Sequence, residues 1–578
     1  MAHHSITRMA CANWKDGEKT CPKEGTSACG SCRLVVYCGR DCQKEHWGEH
    51  KKDCNSPLKK WDWRPTWDRE DRDPVWAHGE AATNIHNPFG LERHLWGNTP
   101  AMDVLALQKN EGLGYDKDLT LLFAASGDLR NMVKTIQNLP DKFKKQVNIT
   151  LNDRDLGVVA RNAVMLLLVL FTLEDQSDQT DIASLAETFM HVWYSFMIPG
   201  ETIAQLNSKV KVQIQEVCEQ IAEKKADALL AKTWQFKSGC TLRLVLKKKD
   251  WDQALAFLEL PDHLDRDKAV EKRHAVVLAP ERLDYRERGY FKDASLPMRV
   301  AKRRFHEDGM LLPFGNSRAG FDHVNPTLFQ GGDIWLLDDR ADPLTGWPIK
   351  EVKATPFVAA EDAYGRLLFH LRRVFSAFIR RLATGKFHFE FFNVDAKDLG
   401  THVKNGTCDR VESSNITDIC WLGTRPTLQS LSPLLKPPHQ NRHATLITIY
   451  QNAVLEIINQ EDQNKILDIS ECILYLTKTR VADLTTKPQG AEQYRIWDSR
   501  NLFFEVDNLF KKYMGIIKFD QIGTAFDVAM KAKNTIGDPW PTRLKLRMGQ
   551  PGAQEEFDGI LGSCWTGLER YVEWKRTK

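Results

Sequence analysis

The sequence predicts a small metal-binding module at the N-terminus, followed by an α/β domain that a long insertion interrupts and by an α-helical C-terminal region. Seven of the 13 cysteines lie within residues 11–54, and strand-turn-helix patterns recur in two separate later stretches. The chain has 578 residues, which exceeds the ~250–300 residues that one hydrophobic core usually supports. Several domains are therefore expected.

Charge and hydropathy indicate which partners and which cellular location to expect. A net charge of +3 argues against a broad basic face for nucleic acid. The apolar stretch at 163–173, "AVMLLLVLFTL", is shorter than a bilayer requires and is typical of a buried helix. The first residues are polar where a signal peptide would be apolar. We expect an intracellular protein of the cytoplasm, the nucleus or both, without a membrane partner.

The N-terminal cysteines have the spacing of metal ligands. Without a secretion signal, clustered thiols are more often metal ligands than disulfides. A module of about 50 residues also buries too little apolar surface to fold alone, and structural zinc contributes ~10 kcal/mol or more. Eight donors fill two closed tetrahedral shells: Cys11, Cys21, Cys29, Cys32, Cys38, Cys42, His50 and Cys54. His46 is an alternative to His50, because both follow Cys42 at four-residue steps on one predicted helix.

The segment "YCGRDCQKEHWGEHKKDC" resembles the second half of a MYND-type zinc finger. The resemblance implies two cross-braced structural zinc ions, with His46 and Trp47 as packing residues. One ion would be held by Cys11, Cys21, Cys38 and Cys42, and the other by Cys29, Cys32, His50 and Cys54. Fingers of this family mostly bind short proline-containing peptides of partner proteins. No ligand position stays open for water, which argues against zinc catalysis.

One ligand departs from the pattern of the family. The first pair of a MYND-type finger is usually Cys-x2-Cys, whereas Glu18 stands three residues before Cys21 here. We assign the missing ligand to Cys11. Glu18 is a rival because a carboxylate also binds zinc, and so are His3 and His4.

Alternating strand and helix patterns predict a parallel sheet in the remainder. "DLTLLFAASGD" is a strand that ends in a turn, "LRNMVKTIQNL" is helical, and "KQVNITLNDRD" is a second strand. A second α/β stretch begins at "KFHFEFFNVDAKDL" and continues through a strand and turn at 408–418 and a helix end, turn and strand at 431–450. We divide the chain as follows: finger, 1–55; linker, 56–90; first part of the α/β domain, 91–236; loop-rich insertion, 237–385; second part, 386–451; helical region, 452–578.

This order of strands resembles the Rossmann-like fold of S-adenosylmethionine-dependent methyltransferases. The resemblance implies that Ser126, Gly127 and Asp128 face the amino-acid end of that cofactor, Asp153 its ribose and Asp395 its adenine. Such sites lie at the carboxyl ends of parallel strands. The first loop, "AASGDLRN", has one glycine, and alanine stands where those enzymes have an acid. A second interpretation therefore stays open, in which Gly127 forms a tight turn and Asp153 caps the next helix.

The phrases "LWGNTPAMDVLAL", "LLFAASGDLRN" and "NDRDLGVVARN" carry a closer resemblance. They are similar to a fungal family in which a MYND finger precedes a domain of unknown function, and to the N-terminal region of axonemal dynein assembly factors. The resemblance implies a zinc-binding interaction adaptor or assembly factor whose methyltransferase-like domain is inactive. The alternative is a methyltransferase whose finger recruits a protein substrate. The signature of SET-type enzymes and the Gly-x-Ser-x-Gly elbow of hydrolases are both absent from the sequence.

Overall fold

A computed structural model describes most of the chain. It covers residues 9–14, 21–78, 88–175, 181–292, 295–458, 470–476, 487, 489–503, 506–563 and 565–578. Glu18, His3 and His4, the rival ligands of the first zinc site, lie outside the described residues.

The strands are short in the finger and longer in the body. They are β1 (Ser27–Ala28), β2 (Val36–Tyr37), β3 (Leu119–Phe123), β4 (Val147–Asn152), β5 (Met197–Pro199), β6 (Leu229–Gln235), β7 (Thr241–Lys247), β8 (Phe321–Val324), β9 (Phe387–Phe392), β10 (Arg410–Glu412), β11 (Thr445–Tyr450), β12 (Val528–Met530) and β13 (Arg570–Arg576).

The α-helices range from one turn to six. They are α1 (Arg40–Glu45), α2 (Trp47–Cys54), α3 (Thr66–Arg69), α4 (Arg130–Gln137), α5 (Leu156–Asp175), α6 (Ile182–Tyr194), α7 (Gly200–Gln205), α8 (Val212–Gln220), α9 (Lys248–Ala256), α10 (Arg266–Val277), α11 (Leu283–Lys292), α12 (Leu296–Asp308), α13 (Ile349–Lys353), α14 (Ala363–Thr384), α15 (Thr424–Leu431), α16 (Ser470–Tyr475), α17 (Ala491–Ser499), α18 (Val506–Ile517), α19 (Phe519–Ala525) and α20 (Ala553–Leu561).

A mixed nine-stranded sheet organises the body, in the order β12-β13-β11-β10-β3-β4-β9-β7-β6. The six strands from β11 to β7 are parallel, while β13 is antiparallel to both of its neighbours and β6 is antiparallel to β7. The next strand of the sheet after β3 in the chain, β4, lies on one side of β3, and the later strand β10 lies on its other side. The order therefore reverses between β3 and β10, which is where open parallel sheets form a crevice at their carboxyl ends.

Both faces of the sheet are covered, and alternate residues of a strand point into different cores. Leu121 and Phe123 of β3 join the larger core, to which α4, α5, α6 and α14 contribute. Leu122 points the other way, into a second core that includes residues of α15, α18 and α19. Strands buried on both faces have continuous apolar runs, as "LTLLF" does.

Helix α5 passes through the larger core. Its length and hydropathy would allow it to cross a membrane, yet 83% of its most apolar window is buried inside the protein. The prediction of a buried helix around residues 163–173 is confirmed.

The prediction of an α-helical C-terminal region is wrong for two segments, because β12 and β13 join the main sheet. Within the region 452–578 that we expected to be helical, α20 stops at Leu561 and β13 follows it. The helix ends at its C-cap Gly562, and Gly567, five residues later, has a φ of 86°, which is not helical. Beyond it, "RYVEWKR" is rich in the aromatic and β-branched residues that favour strands.

The segment predicted to be a loop-rich insertion also contributes to the sheet. Strand β7 pairs with β9, and the 22-residue helix α14 packs against α4 and α6. The part between Gly309 and Pro348 is loop-rich as expected, with β8 as its strand. In the predicted linker, Trp63 and Trp67 are buried, and Trp67 packs edge-on against the buried Trp76.

Candidate functional site

The first metal-binding cluster consists of the four sulfur atoms of Cys11, Cys21, Cys38 and Cys42. Cys38 lies just before α1 and Cys42 lies in its first turn, so their Sγ atoms are 3.4 Å apart. The Sγ atom of Cys21 is 3.8 Å from each of these two. Cys11 completes the cluster from the N-terminal segment, and its Sγ accepts a hydrogen bond from the Cys38 backbone N–H at 3.4 Å.

The second cluster consists of Cys29, Cys32, His50 and Cys54, all buried. Cys29 and Cys32 lie in a tight turn that Arg33 closes with a φ of 53°. His50 and Cys54 are one turn apart on α2. The Sγ atoms of Cys29 and Cys54 are 3.9 Å apart, and the Cys32 Sγ is 3.4 Å from the His50 Nε2.

These distances fit tetrahedral zinc. With Zn–S bonds of ~2.3 Å and Zn–N bonds of ~2.0–2.1 Å, tetrahedral geometry places sulfur atoms about 3.8 Å apart and sulfur and nitrogen about 3.5 Å apart. In each cluster the four donor atoms lie within 4.8 Å of one another. The ligands of the two clusters alternate in pairs along the chain, so the sites are cross-braced. The chain supplies four donors to each, which is typical of structural zinc.

The structure distinguishes His50 from His46. The Nδ1 atom of His46 is 3.0 Å from the Tyr37 hydroxyl, and His46 belongs to neither cluster. His46 is a buried packing residue, as the resemblance implied. Trp47 departs from that expectation, because it is 41% exposed while its ring contacts His50 edge-on.

Burial affects the two kinds of ligand in the second cluster in opposite ways. Burial lowers the pKa of the His50 imidazole to about 4, so its nitrogen is free to bind an ion at neutral pH. Burial raises the pKa of the Cys32 thiol, and a bound zinc ion supplies the positive charge that keeps such a thiol deprotonated.

The finger packs directly on the body. The Trp14 indole donates a hydrogen bond of 2.8 Å to the carbonyl of Gly315, and Val35 packs against the same glycine. Asp53 of the finger lies 3.6 Å from Arg303 and 3.9 Å from Arg304 of α12, and Arg304 in turn bonds the carbonyl of Phe314, next to Gly315. The finger and the larger core of the body form one hydrophobic cluster. The contacts hold the finger in one orientation.

A side chain at Gly315 is expected to separate the finger from the body. A Cβ atom there would lie 3.0 Å from the Cβ of Ala12 and 3.1 Å from a methyl of Val35. Gly315→Leu is therefore expected to cost roughly 1–3 kcal/mol and to speed proteolysis between the finger and β3, with both zinc ions retained. Gly289→Leu is the control, since no atom lies within 4 Å of its Cβ position. Equal rates of proteolysis in the two variants would contradict the packing of the finger on the body.

The residues predicted to bind a cofactor lie together at the carboxyl ends of β3, β4 and β9. Gly127 has a φ of 52°, and its N–H donates to the Asp153 carboxylate at 3.0 Å. Asp153 also accepts from the N–H of Asp155, just before α5, so it ties two loops together. The Ser126 N–H donates to the carbonyl of Asn152. Asp395 lies further out, where it caps a short 3-10 helix by accepting from the Lys397 N–H.

Other segments of the chain cover the first of these loops. The buried carboxylate of Asp128 accepts hydrogen bonds from the Gly97 N–H at 2.7 Å and from the Arg130 guanidinium at 2.6 Å. Arg130 also donates to the carbonyl and the hydroxyl of Thr99. The Thr345 hydroxyl in turn donates to the carbonyl of Gly97. We call residues 95–101 the strap, because they cross this end of the sheet.

The sequence did not reveal the strap or its anchor, Arg130. Its one local signal is the turn-forming string "GNTP", which contains Gly97. A Cβ atom at Gly97 would lie 2.0 Å from the Arg130 guanidinium, so the arginine needs a glycine at that position. The contact joins residues 33 positions apart, which local sequence patterns cannot show.

Glu412, at the end of β10, is expected to make stability depend on pH. Burial raises the pKa of its carboxyl from 4.5 to about 7. The folded protein thus keeps this proton to a higher pH than the unfolded chain does. The protonated carboxyl therefore makes its full contribution to the free energy of unfolding below about pH 4.5, and this contribution is lost as the pH rises towards 7. Glu412→Gln keeps an acceptor for the Ser414 N–H, and its free energy of unfolding is expected to gain about 3 kcal/mol over that of the wild type between pH 4.5 and pH 8. Urea unfolding of the wild type and the variant at pH 4.5 and at pH 8 measures this gain. The same difference in stability between the two proteins at both pH values would contradict the prediction.

Comparison with protein families supports the assignment of the finger. Residues 19–54 match the MYND finger family, and residues 95–198 match a family described as a domain of unknown function, DUF4470. Cys11 lies before the first matched range, so its place in the first cluster rests on the geometry.

Curated relatives match over a short segment. The N-lysine methyltransferase SMYD2-B of Xenopus laevis is 53% identical over 34 residues, which are 6% of this chain and 8% of that protein. The N-lysine methyltransferase SMYD2 of Homo sapiens is 53% identical over 36 residues, with the same shares. The chain therefore spans about 8% of the length of these relatives. No solved structure gives a significant match.

Proposed function

We propose that the protein is a zinc-binding interaction adaptor or assembly factor inside the cell, in the cytoplasm or the nucleus. In this proposal the finger binds peptides of partner proteins, including proline-containing ones, and the body holds the finger in place. The observation that carries it is the pair of closed Cys/His clusters in a segment that matches the MYND finger family. The assembly role rests on the resemblance of residues 95–175 alone.

The exposed side of the finger supports a binding role. Trp14, Val35 and Asp53 face the body, whereas Lys44, Gly48 and other residues of α1 and α2 are exposed. Trp47 combines a large apolar surface with an indole N–H, and such residues are enriched at protein interfaces. It begins the helix that holds His50 and Cys54, so the zinc fixes its position.

An array of proline-containing peptides tests the binding role on the full-length protein. Trp47→Ala is expected to weaken binding by at least about tenfold, in the range of an interface hot spot, while both zinc ions remain bound. Trp61→Ala is the matched control, because Trp61 is 60% exposed and lies outside the finger. If no peptide binds the wild type, or if both variants bind equally, the proposal fails.

Within this proposal the α/β body has no catalytic activity. Two observations support that part: Asp128 is bonded to the strap and to Arg130, and the N–H of Gly127 is taken by Asp153. Groups that would face a cofactor are thus engaged with the chain itself.

The alternative function is an S-adenosylmethionine-dependent methyltransferase. The reversal of strand order beside β3 and the position of Asp153 after β4 favour it. Calorimetry with S-adenosylmethionine separates the two proposals. We expect no heat of binding, and micromolar binding that disappears in Asp153→Ala would favour the enzyme.

A further inference from the structure

A group of four polar side chains, two of them fully buried, lies where β10 and β11 end, and neither the zinc sites nor the predicted cofactor site includes it. Asp418 is in the loop after β10, and Asn452 and Glu456 are in the turn after β11. Tyr513 reaches the same place from α18. The side chains of Asp418 and Tyr513 are fully buried.

Oxygens of three of these residues are buried without a hydrogen-bond partner: Oδ1 of Asp418, Oε2 of Glu456 and the hydroxyl of Tyr513. The second oxygen of each carboxylate is occupied. Oδ2 of Asp418 accepts from the N–H groups of Gln451 and Asn452 and from the Asn452 side chain, at 3.0–3.2 Å. Oε1 of Glu456 accepts from the Cys420 N–H at 3.1 Å. The bonds fix both carboxylates in place.

The unpartnered oxygens belong to one electrostatic cluster. The Asn452 amide bonds both Asp418 and the Cys420 sulfur, which links the two loops. Burial raises the pKa of the Asp418 carboxyl to about 7, and the charge of Glu456 adds to that rise. Burial and the same two carboxylates raise the pKa of Tyr513. No basic side chain of the described residues forms an ion pair with Asp418 or Glu456.

Two carboxylates with buried, unpaired oxygens need either a proton or a compensating cation, because burying a carboxylate alone costs several kcal/mol. A proton on Oδ1 of Asp418 or on Oε2 of Glu456 would find no acceptor, because neither oxygen has a hydrogen-bond partner and the Tyr513 hydroxyl bonds neither of them. Carboxylate and hydroxyl oxygens are ligands of hard divalent ions such as Ca²⁺, Mg²⁺ and Mn²⁺. We propose that this cluster binds one such ion, through Oδ1 of Asp418 and Oε2 of Glu456, with the Tyr513 oxygen facing it.

Mn²⁺ is the probe for this site, because its electron paramagnetic resonance signal reports binding directly. The full-length protein with both zinc ions bound is expected to take up one Mn²⁺ per chain in a saturable manner, and excess Ca²⁺ is expected to displace it. Loss of an outer-shell partner already costs ~10–100-fold in metal affinity. Asp418→Asn and Glu456→Gln, each of which removes a direct ligand, are therefore expected to weaken binding at least tenfold.

The matched control is Asp398→Asn, which neutralises an exposed carboxylate beyond the end of β9. It is expected to bind Mn²⁺ as the wild type does. Thermal unfolding adds a second readout: Ca²⁺ should raise the midpoint of the wild type and of the control, but not that of either site variant. If one site variant does not fold, the other still tests the proposal. Absence of saturable binding by the wild type, or equal binding by the site variants, would overturn it.

Discussion

Cys32→Ser is expected to reduce the bound zinc from two ions per chain to at most one and to unfold the finger. Cys32 is completely buried, and its sulfur lies 3.4 Å from the His50 Nε2. Structural zinc contributes ~10–16 kcal/mol to the folding of such modules, far more than the apolar surface of the finger can replace. Because the sites are cross-braced, loss of the second site also removes the support of the first. The zinc content of the purified variant measures the effect directly.

Cys218→Ser is the control for this prediction. Cys218 is a half-buried thiol outside both clusters, where its Sγ bonds the carbonyl of Trp251 and a serine hydroxyl can do the same. This variant is expected to keep two zinc ions per chain. In Cys32→Ser, the surface of the body around Gly315 loses its cover, so proteolysis near that residue should accelerate as well. A Cys32→Ser protein that retains two zinc ions would contradict the ligand assignment.

The zinc ligands could be predicted from the sequence because their chemistry requires a fixed number of donors. Eight donors fill two shells, and this count favoured Cys11, which lies ten residues before Cys21, while Glu18, His3 and His4 stayed open as rivals. Helix spacing alone left His46 and His50 open, and the resemblance to a MYND-type finger placed His50 on the zinc, which the structure confirms. His46 stands at the junction of α1 and α2 and its ring stacks on that of His50, yet only His50 lies among the zinc ligands. His46 turns to Tyr37 instead.

The central strands could also be predicted, since strands buried on both faces have continuous apolar runs. Strand β13 could not. Its Glu573 is fully buried in the sheet and looks like a surface residue in the sequence. It is satisfied by N–H groups of Thr535, Ile536 and Gly537 and by Lys531, from a segment about 40 positions earlier in the chain. Such long-range hydrogen bonds determine whether a polar residue can be buried, and no local sequence pattern shows them.

The position of Asp128 at the end of β3 has two explanations, and Arg130 distinguishes them. A cofactor-binding carboxylate is held ready for a ligand, whereas the Asp128 carboxylate is fully buried and bonded to Arg130 and to the strap. If its role is structural, Arg130→Met leaves a buried charge without its partner. Breaking a buried pair in this way costs about 3–5 kcal/mol. The free energy of unfolding in urea is therefore expected to fall by that amount, and the strap should exchange its amide hydrogens faster.

The double variant Asp128→Asn/Arg130→Met is the control that separates charge from packing. It removes both charges of the pair, so its loss of stability is expected to be smaller than that of Arg130→Met alone, because one buried group is no longer ionised. Thr99 loses the guanidinium in both variants, so the difference between them reports the charge of Asp128. If Arg130→Met is instead as stable as the wild type but abolishes a measurable affinity for S-adenosylmethionine, Asp128 and Arg130 belong to a cofactor site and the body is an enzyme.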